Sequence, residues 1–196
     1  MLRRLVYPRV EPLLNKAARF CSEKKFTPNQ LTLLGTAITF VAGWVYSLGL
    51  FALGGILLLL GAVGDLLDGP LARLTGKSTP FGAFLDSTVD RYSDFFIFGG
   101  LACYYAGQEM HGSFLVTLGI LLGTYATSYT KARAESLIAS CPVGIFERAE
   151  RLLILVLGSF IPVLMPWILG ILLVGTNATA LQRIFYVKRR LSEKKT

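Results

Sequence analysis

Residues 31–64 read LTLLGTAITFVAGWVYSLGLFALGGILLLLGAVG and contain no Asp, Glu, Lys, Arg or His. A helix that spans a bilayer needs about 20 apolar residues, so this run is too long for one span and long enough for two. The chain turns most readily within it at Ser47-Leu48-Gly49. Of all 196 residues, 53% are apolar and 16% are charged, which is too little charge for an ordinary soluble domain. We therefore predict an integral membrane protein.

Four further apolar segments bring the predicted fold to six transmembrane helices in a single all-α membrane domain, residues 1–196. The approximate bounds of the spans are 29–48, 51–74, 84–107, 112–135, 146–162 and 166–190, and Pro162 and Pro166 separate the last two. Residues 1–25 mix seven bases with apolar residues at roughly helical spacing. This pattern predicts an amphipathic helix in the membrane interface, with a disordered basic tail as the alternative.

The basic residues lie on one side of this topology. The connections at residues 47–51, 108–112 and 161–167 contain no Lys or Arg, whereas all twenty bases lie at the opposite boundary. By the positive-inside rule, both termini and both long connections face the cytoplasm of a multi-pass protein in the cell membrane. The net charge of +8 would suggest nucleic acid as the partner of a soluble protein. Here the topology accounts for it, and no nucleic-acid partner is expected.

Four aspartates lie at this cytoplasmic boundary. Asp65 and Asp68 are three residues apart near the end of the second span, and Asp86 and Asp90 are four apart at the start of the third. Each spacing places both side chains on one helix face. Converging carboxylates repel one another unless a cation compensates them, and oxygen ligands without a His or Cys pattern favour Mg²⁺ or Mn²⁺. Two carboxylates from each of two helices predict two ions, as in two-metal phosphoryl transfer.

The residues around the acids suit a substrate that carries phosphate. Gly69 lets a ligand approach the backbone closely, Arg73 offers a guanidinium about one turn later, and Gly82 precedes Asp86 by four residues. Two other interpretations stay open: the ion or proton pathway of a small ion transporter, and a structural ion-paired cluster. A transporter function would not explain why these glycines and this arginine occur at these spacings. The cost of burying four acids disfavours a structural cluster.

The pattern Asp65-x2-Asp68-Gly69-x2-Ala72-Arg73-x8-Gly82-x3-Asp86-x3-Asp90 resembles the complete signature of the CDP-alcohol phosphotransferases. These membrane enzymes transfer a phosphoalcohol or phosphatidyl group from a CDP-linked donor to an acceptor hydroxyl. The resemblance extends over nearly the whole chain. It implies six spans, an N-terminal interfacial helix, and a metal site that faces the cytoplasm at the ends of spans two and three.

The resemblance also assigns roles to residues by position. It implies that Asp65, Asp68, Asp86 and Asp90 bind two divalent ions, and that Asp90 is also the general base. It implies contacts with the CDP-linked lipid from seven residues: Asn29, Thr32, Asp68, Gly69, Arg73, Thr79 and Gly82. The segment that holds Asn29 and Thr32 also has the pattern of a helix N-terminus, with Thr27 as the cap and Pro28 at the first position. Both interpretations can be true.

The end of span four and the start of span five resemble segments that hold inositol phosphate in phosphatidylinositol-phosphate synthases. The matching positions are Ser128, Lys131 and Arg151, and a further arginine corresponds to Arg189 or Arg190. Several cations and a hydroxyl suit a phosphorylated acceptor better than a neutral alcohol. The alternative is that these bases are the ordinary cytoplasmic flank of the spans.

The resemblance therefore implies an enzyme of phospholipid biosynthesis. It would transfer the phosphatidyl or archaetidyl group of CDP-diacylglycerol or CDP-archaeol to the hydroxyl of inositol phosphate and release CMP. Glycerol 3-phosphate is the alternative acceptor, which would make the protein a phosphatidylglycerophosphate synthase. Family members pair as homodimers, and the small residues Gly119 and Gly123, or Gly99 and Gly100, are candidates for close helix contact.

Overall fold

The computed structural model describes the backbone of residues 2–193 and the side chains of residues 11–193. All regular structure in this part is helical: α1 (Leu2–Glu23), α2 (Pro28–Ser47), α3 (Phe51–Leu74), α4 (Pro80–Gly107), α5 (His111–Glu135), α6 (Arg148–Phe160) and α7 (Met165–Glu193), with a short 3₁₀ turn at Pro162–Leu164. The basic and apolar side chains predicted for residues 1–10 lie outside the described residues. The chain forms two compact units, Met1–Tyr104 and Tyr105–Thr196, and the single membrane domain stays a prediction.

Every predicted span corresponds to a helix, and the bounds of three of them differ from the prediction by more than one residue. The fourth helix begins at Pro80 rather than near residue 84, because the Gly82 amide donates to the Thr79 hydroxyl at 3.0 Å and caps the helix there. The sixth helix is Arg148–Phe160, shorter than the predicted 146–162, and the seventh extends beyond the predicted 166–190 at both ends. The all-α fold class is confirmed for the described residues.

Among the described residues, two segments are long and apolar enough to cross a membrane, judged by length and composition: α3 and Pro162–Glu193, which contains α7. The third predicted span, in α4, carries four charged residues in its first half, Asp86, Asp90, Arg91 and Asp94. The 13 residues of α6 cover about 20 Å at about 1.5 Å per residue, less than the roughly 30 Å of a hydrocarbon core. The six-span arrangement and the interfacial position of α1 stay predictions.

In the first unit, α1 lies against α2 and α3. Leu14 and Ala18 of α1 form a buried cluster with Leu31 of α2 and with Leu67 and Leu71 of α3. This cluster holds the N-terminal end of α2 beside the C-terminal half of α3. The same two ends carry six of the predicted donor-binding and metal-binding residues: Asn29, Thr32, Asp65, Asp68, Gly69 and Arg73.

Helix α4 crosses α2 in the first unit at a contact between backbones. A Cβ atom at Gly100 would collide with the carbonyl group of Gly43, and a Cβ atom at Gly43 would collide with the carbonyl group of Phe96. Only glycine allows the two helices to lie this close. Gly100, a candidate for contact between subunits, is therefore used within the chain.

In the second unit, α5 and α7 are joined by polar side chains. The Thr127 hydroxyl donates to the Thr176 carbonyl at 2.9 Å, and Nδ2 of Asn177 donates to the Gly119 carbonyl at 3.3 Å. A Cβ atom at Gly123 would collide with the side chain of Thr176. Gly119 and Gly123 therefore serve a helix contact inside the chain, and the contact between subunits stays a prediction.

Candidate active site

A cavity of about 230 Å³ lies in the first unit, between the N-terminal end of α2, the C-terminal end of α3 and the start of α4. Its lining consists of Pro28, Asn29, Thr32, Asp68, Gly69, Ala72, Arg73, Lys77, Ser78, Thr79, Gly82, Ala83 and Asp86. All seven residues predicted to contact a CDP-linked lipid are in this lining. Two of the four predicted metal ligands, Asp68 and Asp86, line it as well. The structure thus brings the residues that were predicted to contact the CDP-linked lipid together around one cavity.

A capping box fixes the start of α2 at the cavity. The Gln30 amide donates to the Thr27 hydroxyl at 3.3 Å, and the Thr27 amide donates to Oε1 of Gln30 at 2.8 Å. Pro28 occupies the first turn. The side chains of Thr27 and Gln30 thus accept hydrogen bonds from each other's backbone amides, while the neighbouring Asn29 and Thr32 line the cavity. The segment is therefore both a capped helix N-terminus and a wall of the site.

The carboxylate of Asp68 is oriented by a hydroxyl of α2. Oγ1 of Thr32 donates to Oδ2 of Asp68 at 2.6 Å, the short distance of a hydrogen bond to a charged acceptor. The same hydroxyl lies 3.2 Å from the Pro28 carbonyl. Thr32 is only 3% exposed, so the hydroxyl that holds the Asp68 carboxylate is itself fixed in the interior.

The glycines of the signature keep space open in the cavity. A Cβ atom at Gly69 would lie 3.6 Å from Nη1 of Arg73, so the guanidinium extends alongside Gly69. A Cβ atom at Gly82 would lie 3.2 Å from Oγ1 of Thr79 and 3.5 Å from Oδ1 of Asn29. A side chain at either position would occupy space between polar groups. Glycine therefore leaves room for a ligand among these groups.

Asp65 and Asp90 lie one helical turn from the two carboxylates that line the cavity. Oδ1 of Asp65 lies 2.7 Å from where a Cβ atom at Gly35 would be, so glycine in α2 makes room for this carboxylate. Oδ2 of Asp90 lies 3.5 Å from Nη2 of Arg91, and Nε of the same arginine lies 3.8 Å from Oδ2 of the fully buried Asp94. Arg91 thus bridges Asp90 to a carboxylate one turn further along α4.

The described side chains, residues 11–193, contain no group of three or more Asp, Glu, His or Cys at the spacing of a formed metal site. Asp68 and Asp86 are nevertheless in one cavity, and the Thr32 hydroxyl lies beside them. Carboxylate and hydroxyl oxygens without nitrogen or sulfur suit a hard divalent cation. The residues present therefore fit Mg²⁺ or Mn²⁺, and the four-carboxylate site stays a prediction.

Two polar residues of the lining were missed by the reasoning from sequence. Lys77 and Ser78 belong to the connection between α3 and α4, in which Gly76 has a φ of 65°. Left-handed backbone at Gly76 reverses the chain immediately after α3, and the next two residues then line the cavity. Their position inside the signature, between Arg73 and Gly82, is the signal that could have identified them.

The predicted acceptor residues belong to the second unit. Nζ of Lys131 lies 3.8 Å from Oε1 of Glu147, and Arg151 in the first turn of α6 is 2% exposed. The Ser128 hydroxyl donates to the Thr124 carbonyl of its own helix at 3.2 Å. Lys131 is therefore already beside a carboxylate, and Arg151 belongs to the interior of the unit.

The two alternative arginines near the end of α7 differ in their surroundings. Nε of Arg189 lies 3.0 Å from Oε1 of Glu193, and its side chain is 82% exposed. Nε of Arg190 donates to the Tyr186 hydroxyl at 3.1 Å. Arg190 also lines a cavity of about 320 Å³ with Ile138, Ala139, Ser140, Tyr186 and Glu193. The lining of this cavity includes none of the other predicted acceptor residues, Ser128, Lys131 and Arg151.

A third arginine of α7, Arg183, was not predicted as a site residue. It is 2% exposed, and its guanidinium makes three interactions. Nη1 donates to the Thr127 carbonyl at 2.6 Å, Nε to the Val143 carbonyl at 2.9 Å, and Nη2 to Oε1 of Glu147 at 3.2 Å. Oε1 of Glu147 is thus shared by Arg183 and Lys131, and these three residues form one charged group.

Comparison with known proteins agrees with this geometry. The sequence model of a family described as CDP-alcohol phosphatidyltransferase matches residues 25–183. The archaetidylinositol phosphate synthase of Pyrococcus horikoshii is 38% identical, over 95% of this chain and 96% of that protein. The phosphatidylinositol phosphate synthase of Streptomyces avermitilis is 40% identical, over 92% of this chain and 80% of the relative.

Solved structures of a relative match as well. The crystal structure of Mycobacterium tuberculosis phosphatidylinositol phosphate synthase with CDP-DAG bound has a TM-score of 0.81 at 30% identity, covering 90% of this chain and 94% of its own. The same enzyme in complex with manganese and citrate has a TM-score of 0.80 at 30% identity, with coverage of 89% and 88%. Six of the eight signature residues line one cavity, and these matches show that the chain belongs to the CDP-alcohol phosphatidyltransferase family.

Proposed function

We propose that this chain transfers the phosphatidyl or archaetidyl group of a CDP-linked lipid to the hydroxyl of inositol phosphate and releases CMP. The observation that carries the proposal is the cavity of the first unit, whose lining contains every residue expected to contact the donor. Relatives that align with nearly all of this chain are synthases of archaetidylinositol phosphate and phosphatidylinositol phosphate. CDP-diacylglycerol and CDP-archaeol are the corresponding donors.

The proposed metal ligands are Asp65, Asp68, Asp86 and Asp90. Two divalent ions, Mg²⁺ or Mn²⁺, would neutralise the charge of the donor pyrophosphate and polarise the phosphorus that is attacked. The orientation of Asp68 by Thr32 and the space that Gly35 leaves for Asp65 support this assignment. The solved complex of the mycobacterial relative with manganese supports the use of a divalent ion.

The residues of the chain bind the donor, orient it and move one proton. Arg73 pairs with the pyrophosphate, and Asn29 and Thr79 offer polar contacts to the rest of the CDP group. The acceptor hydroxyl oxygen attacks the β-phosphorus, Asp90 takes the hydroxyl proton, and a new P–O bond forms. The P–O bond to CMP breaks in the same displacement, and CMP leaves with the bridging oxygen and its electron pair. Lys77, on the cavity wall, offsets the charge that develops on CMP.

The proposed acceptor residues are Ser128, Lys131, Arg151 and Arg190. A phosphate monoester carries close to two negative charges near neutral pH and three oxygens that accept hydrogen bonds, so it needs several cationic donors. Arg190 is preferred over Arg189 because it lines a cavity and its side chain is less exposed, at 56% against 82%. This assignment favours a phosphorylated acceptor over a neutral alcohol.

We further propose a homodimer in the cell membrane, with six spans per chain and α1 in the interface. Both termini and the site would face the cytoplasm. The apolar length of α3 and of Pro162–Glu193 supports membrane insertion. The one-sided distribution of Lys and Arg along the sequence supports the orientation.

An acceptor panel tests the proposal. Purified protein is incubated with CDP-diacylglycerol or CDP-archaeol, Mg²⁺, and either inositol phosphate, glycerol 3-phosphate or inositol, and the release of CMP is measured. We expect rapid release with inositol phosphate and loss of that release in EDTA. Faster release with glycerol 3-phosphate would identify the alternative synthase. Unchanged release in EDTA would refute the two-metal account. Ion uptake into liposomes without CDP-lipid would favour a transporter.

A further inference from the structure

Helices α2 and α3 lie against each other in opposite directions and in constant register. In four of their contacts, each step along α2 is matched by an equal step back along α3: Thr32 with Asp68, Gly35 with Asp65, Thr39 with Gly61, and Tyr46 with Gly54. The first contact is a hydrogen bond, and the other three are close approaches at a glycine. One face of α2 thus lies against both of the metal ligands proposed in α3.

Gly35 provides the space in which the Asp65 carboxylate lies. Gly35 is buried, and Oδ1 of Asp65 lies 2.7 Å from the position of a Cβ atom on this glycine. The carbonyl oxygen of Gly61 lies 2.9 Å from the same position. Cβ atoms in proteins essentially never approach another heavy atom more closely than 3.0 Å. A methyl group at residue 35 would therefore displace the carboxylate of Asp65 and press on the backbone of α3.

The other carboxylate of α3, that of Asp68, is held from the same face of α2. The hydroxyl of Thr32, one turn before Gly35, donates to its Oδ2 at 2.6 Å. A hydrogen bond thus orients Asp68, and the surface of α2 limits where Asp65 can lie. Mg²⁺ binds oxygen at about 2.0–2.1 Å in a nearly fixed octahedral arrangement, so carboxylates that share an ion tolerate little displacement. Helix α2 therefore determines where the two carboxylates can meet an ion.

The next contact along the same crossing involves no carboxylate. The Thr39 hydroxyl donates to the Gly35 carbonyl at 2.9 Å, and Thr39 is 1% exposed. A Cβ atom at Gly61 would lie 2.5 Å from that hydroxyl oxygen and 3.0 Å from the Gly35 carbonyl oxygen. Gly61 is therefore packed as closely as Gly35, against the same part of α2, but its nearest neighbours are a hydroxyl and backbone atoms.

We propose that Gly35 is a positioning residue for the metal site. The absence of a side chain at this residue keeps the Asp65 carboxylate within reach of the ion that Asp68 binds. The inference rests on the proposed function, in which both aspartates are metal ligands. Gly35 has no side chain with which to bind the ion, so it acts through Asp65. Its substitution should therefore weaken the binding of a divalent ion before any substrate is present.

Binding of Mn²⁺ to the purified protein, without substrate, tests this inference. The electron paramagnetic resonance signal of free Mn²⁺ is sharp and is lost on binding, so a titration gives the Kd. For Gly35→Ala we expect the Kd to rise about 10- to 100-fold, the usual effect of losing an outer partner of a metal ligand. At saturating Mn²⁺ the KM for the CDP-linked lipid should change less than about threefold.

Gly61→Ala is the matched control. It presses a methyl group into the same crossing, against the Thr39 hydroxyl and the Gly35 carbonyl, so its melting temperature should fall by an amount similar to that of Gly35→Ala. Its Kd for Mn²⁺ should stay within about threefold of the wild type, well below the effect of displacing a ligand. The comparison separates the position of a carboxylate from the closeness of two helices.

Two variants of Asp65 test the same inference from α3. Asp65→Glu keeps the charge and the glycines but moves the carboxylate out of the space at Gly35, so the Kd should rise about 10-fold or more. This variant leaves the crossing intact and gives a result even if Gly35→Ala does not fold. In an Asp65→Ala background, adding Gly35→Ala should raise the Kd less than about twofold further, because the effect passes through the missing carboxylate.

Three results would overturn the inference. Equal losses of Mn²⁺ affinity in Gly35→Ala and Gly61→Ala would assign the effect to the crossing as a whole. A wild-type Kd in Gly35→Ala, or in Asp65→Glu, would show that the position of the carboxylate does not matter. If the wild type binds no Mn²⁺ and releases CMP equally well in EDTA, the proposed metal site fails and the inference fails with it. If it binds Mn²⁺ but does not use inositol phosphate, only the proposed acceptor fails, and the same titrations still decide the role of Gly35.

Discussion

The Thr32 hydroxyl acts on the site through a single short hydrogen bond to Asp68. We expect Thr32→Val to lower the affinity for Mg²⁺ by about 10-fold or more, because losing an outer partner of a metal ligand typically costs about 10- to 100-fold. Thr32→Ser keeps the hydroxyl and should stay close to the wild type. The measurement is the Mg²⁺ dependence of CMP release. Equal Mg²⁺ dependence in the valine and serine variants would show that the hydrogen bond does not orient a ligand.

Asp90 is assigned two roles, metal ligand and general base. We expect Asp90→Asn to reduce kcat by about 100- to 10,000-fold, the usual contribution of a positioned base. Excess Mg²⁺ should not restore the rate, because an amide cannot accept the hydroxyl proton. Ser87→Ala is the control, since that hydroxyl donates only to carbonyls of its own helix, of Ala83 at 2.7 Å and of Phe84 at 3.2 Å. Recovery at high Mg²⁺ would leave Asp90 as a ligand alone.

At the scale of elements, the close crossing of α2 and α4 predicts a loss of stability when a methyl group is added. Gly43→Ala places a Cβ atom against the backbone of Phe96, and neither helix can yield without displacing the other. We expect a loss of about 1–3 kcal/mol in the free energy of unfolding, the usual cost of overpacking. The measurement is thermal unfolding in detergent.

The matched control is Gly170→Ala in α7, where nothing lies within 4 Å of the added methyl group. Alanine favours a helix over glycine by about 1 kcal/mol, so this variant should be neutral or slightly more stable. If both substitutions destabilise equally, the effect comes from glycine in a helix in general and not from the crossing.

Helical periodicity predicted that Asp65 and Asp68 share one face of a helix, and that Asp86 and Asp90 share one face of the next. The donor contacts of Asn29, Thr32 and Thr79 came instead from the resemblance to the family. Hydropathy alone places the start of α4 near residue 84, which is too late. The Thr79 hydroxyl caps the helix, and Pro80 is its first residue. Short-range hydrogen bonds, and not apolar content, decide where that helix starts.

The contact between Arg183 and Glu147 in the second unit could not be predicted in the same way. Arg183 and Glu147 are 36 residues apart, and no spacing rule links an arginine of one helix to the N-cap of another. A single arginine at the end of an apolar helix is also what the positive-inside rule predicts, so its charge alone reveals no further role. Only the burial of the guanidinium and its three hydrogen-bond acceptors show that Arg183 joins separate segments of the chain.

At the scale of the whole molecule, the charge distribution predicts the orientation in the membrane. Three connections without Lys or Arg should face away from the cytoplasm, and the basic segments should face it. Single cysteines, introduced after Cys21, Cys103 and Cys141 are replaced by serine, can report each side. The outer positions are Leu48, Met110 and Val163, and the inner positions are Leu137 and Ser192, all exposed in the structure.

A maleimide that cannot cross the bilayer should label the outer cysteines in intact spheroplasts and the inner ones only in inverted vesicles. The position at Val163 is the decisive one, because α6 has only 13 residues and is shorter than a typical span. If α6 crosses the membrane with the adjoining Pro162–Leu164 turn, Val163→Cys is labelled from outside together with Leu48→Cys and Met110→Cys. Labelling of Val163→Cys only in inverted vesicles would show that α6 does not cross. The chain would then have an odd number of spans, and its C-terminus would lie outside the cytoplasm.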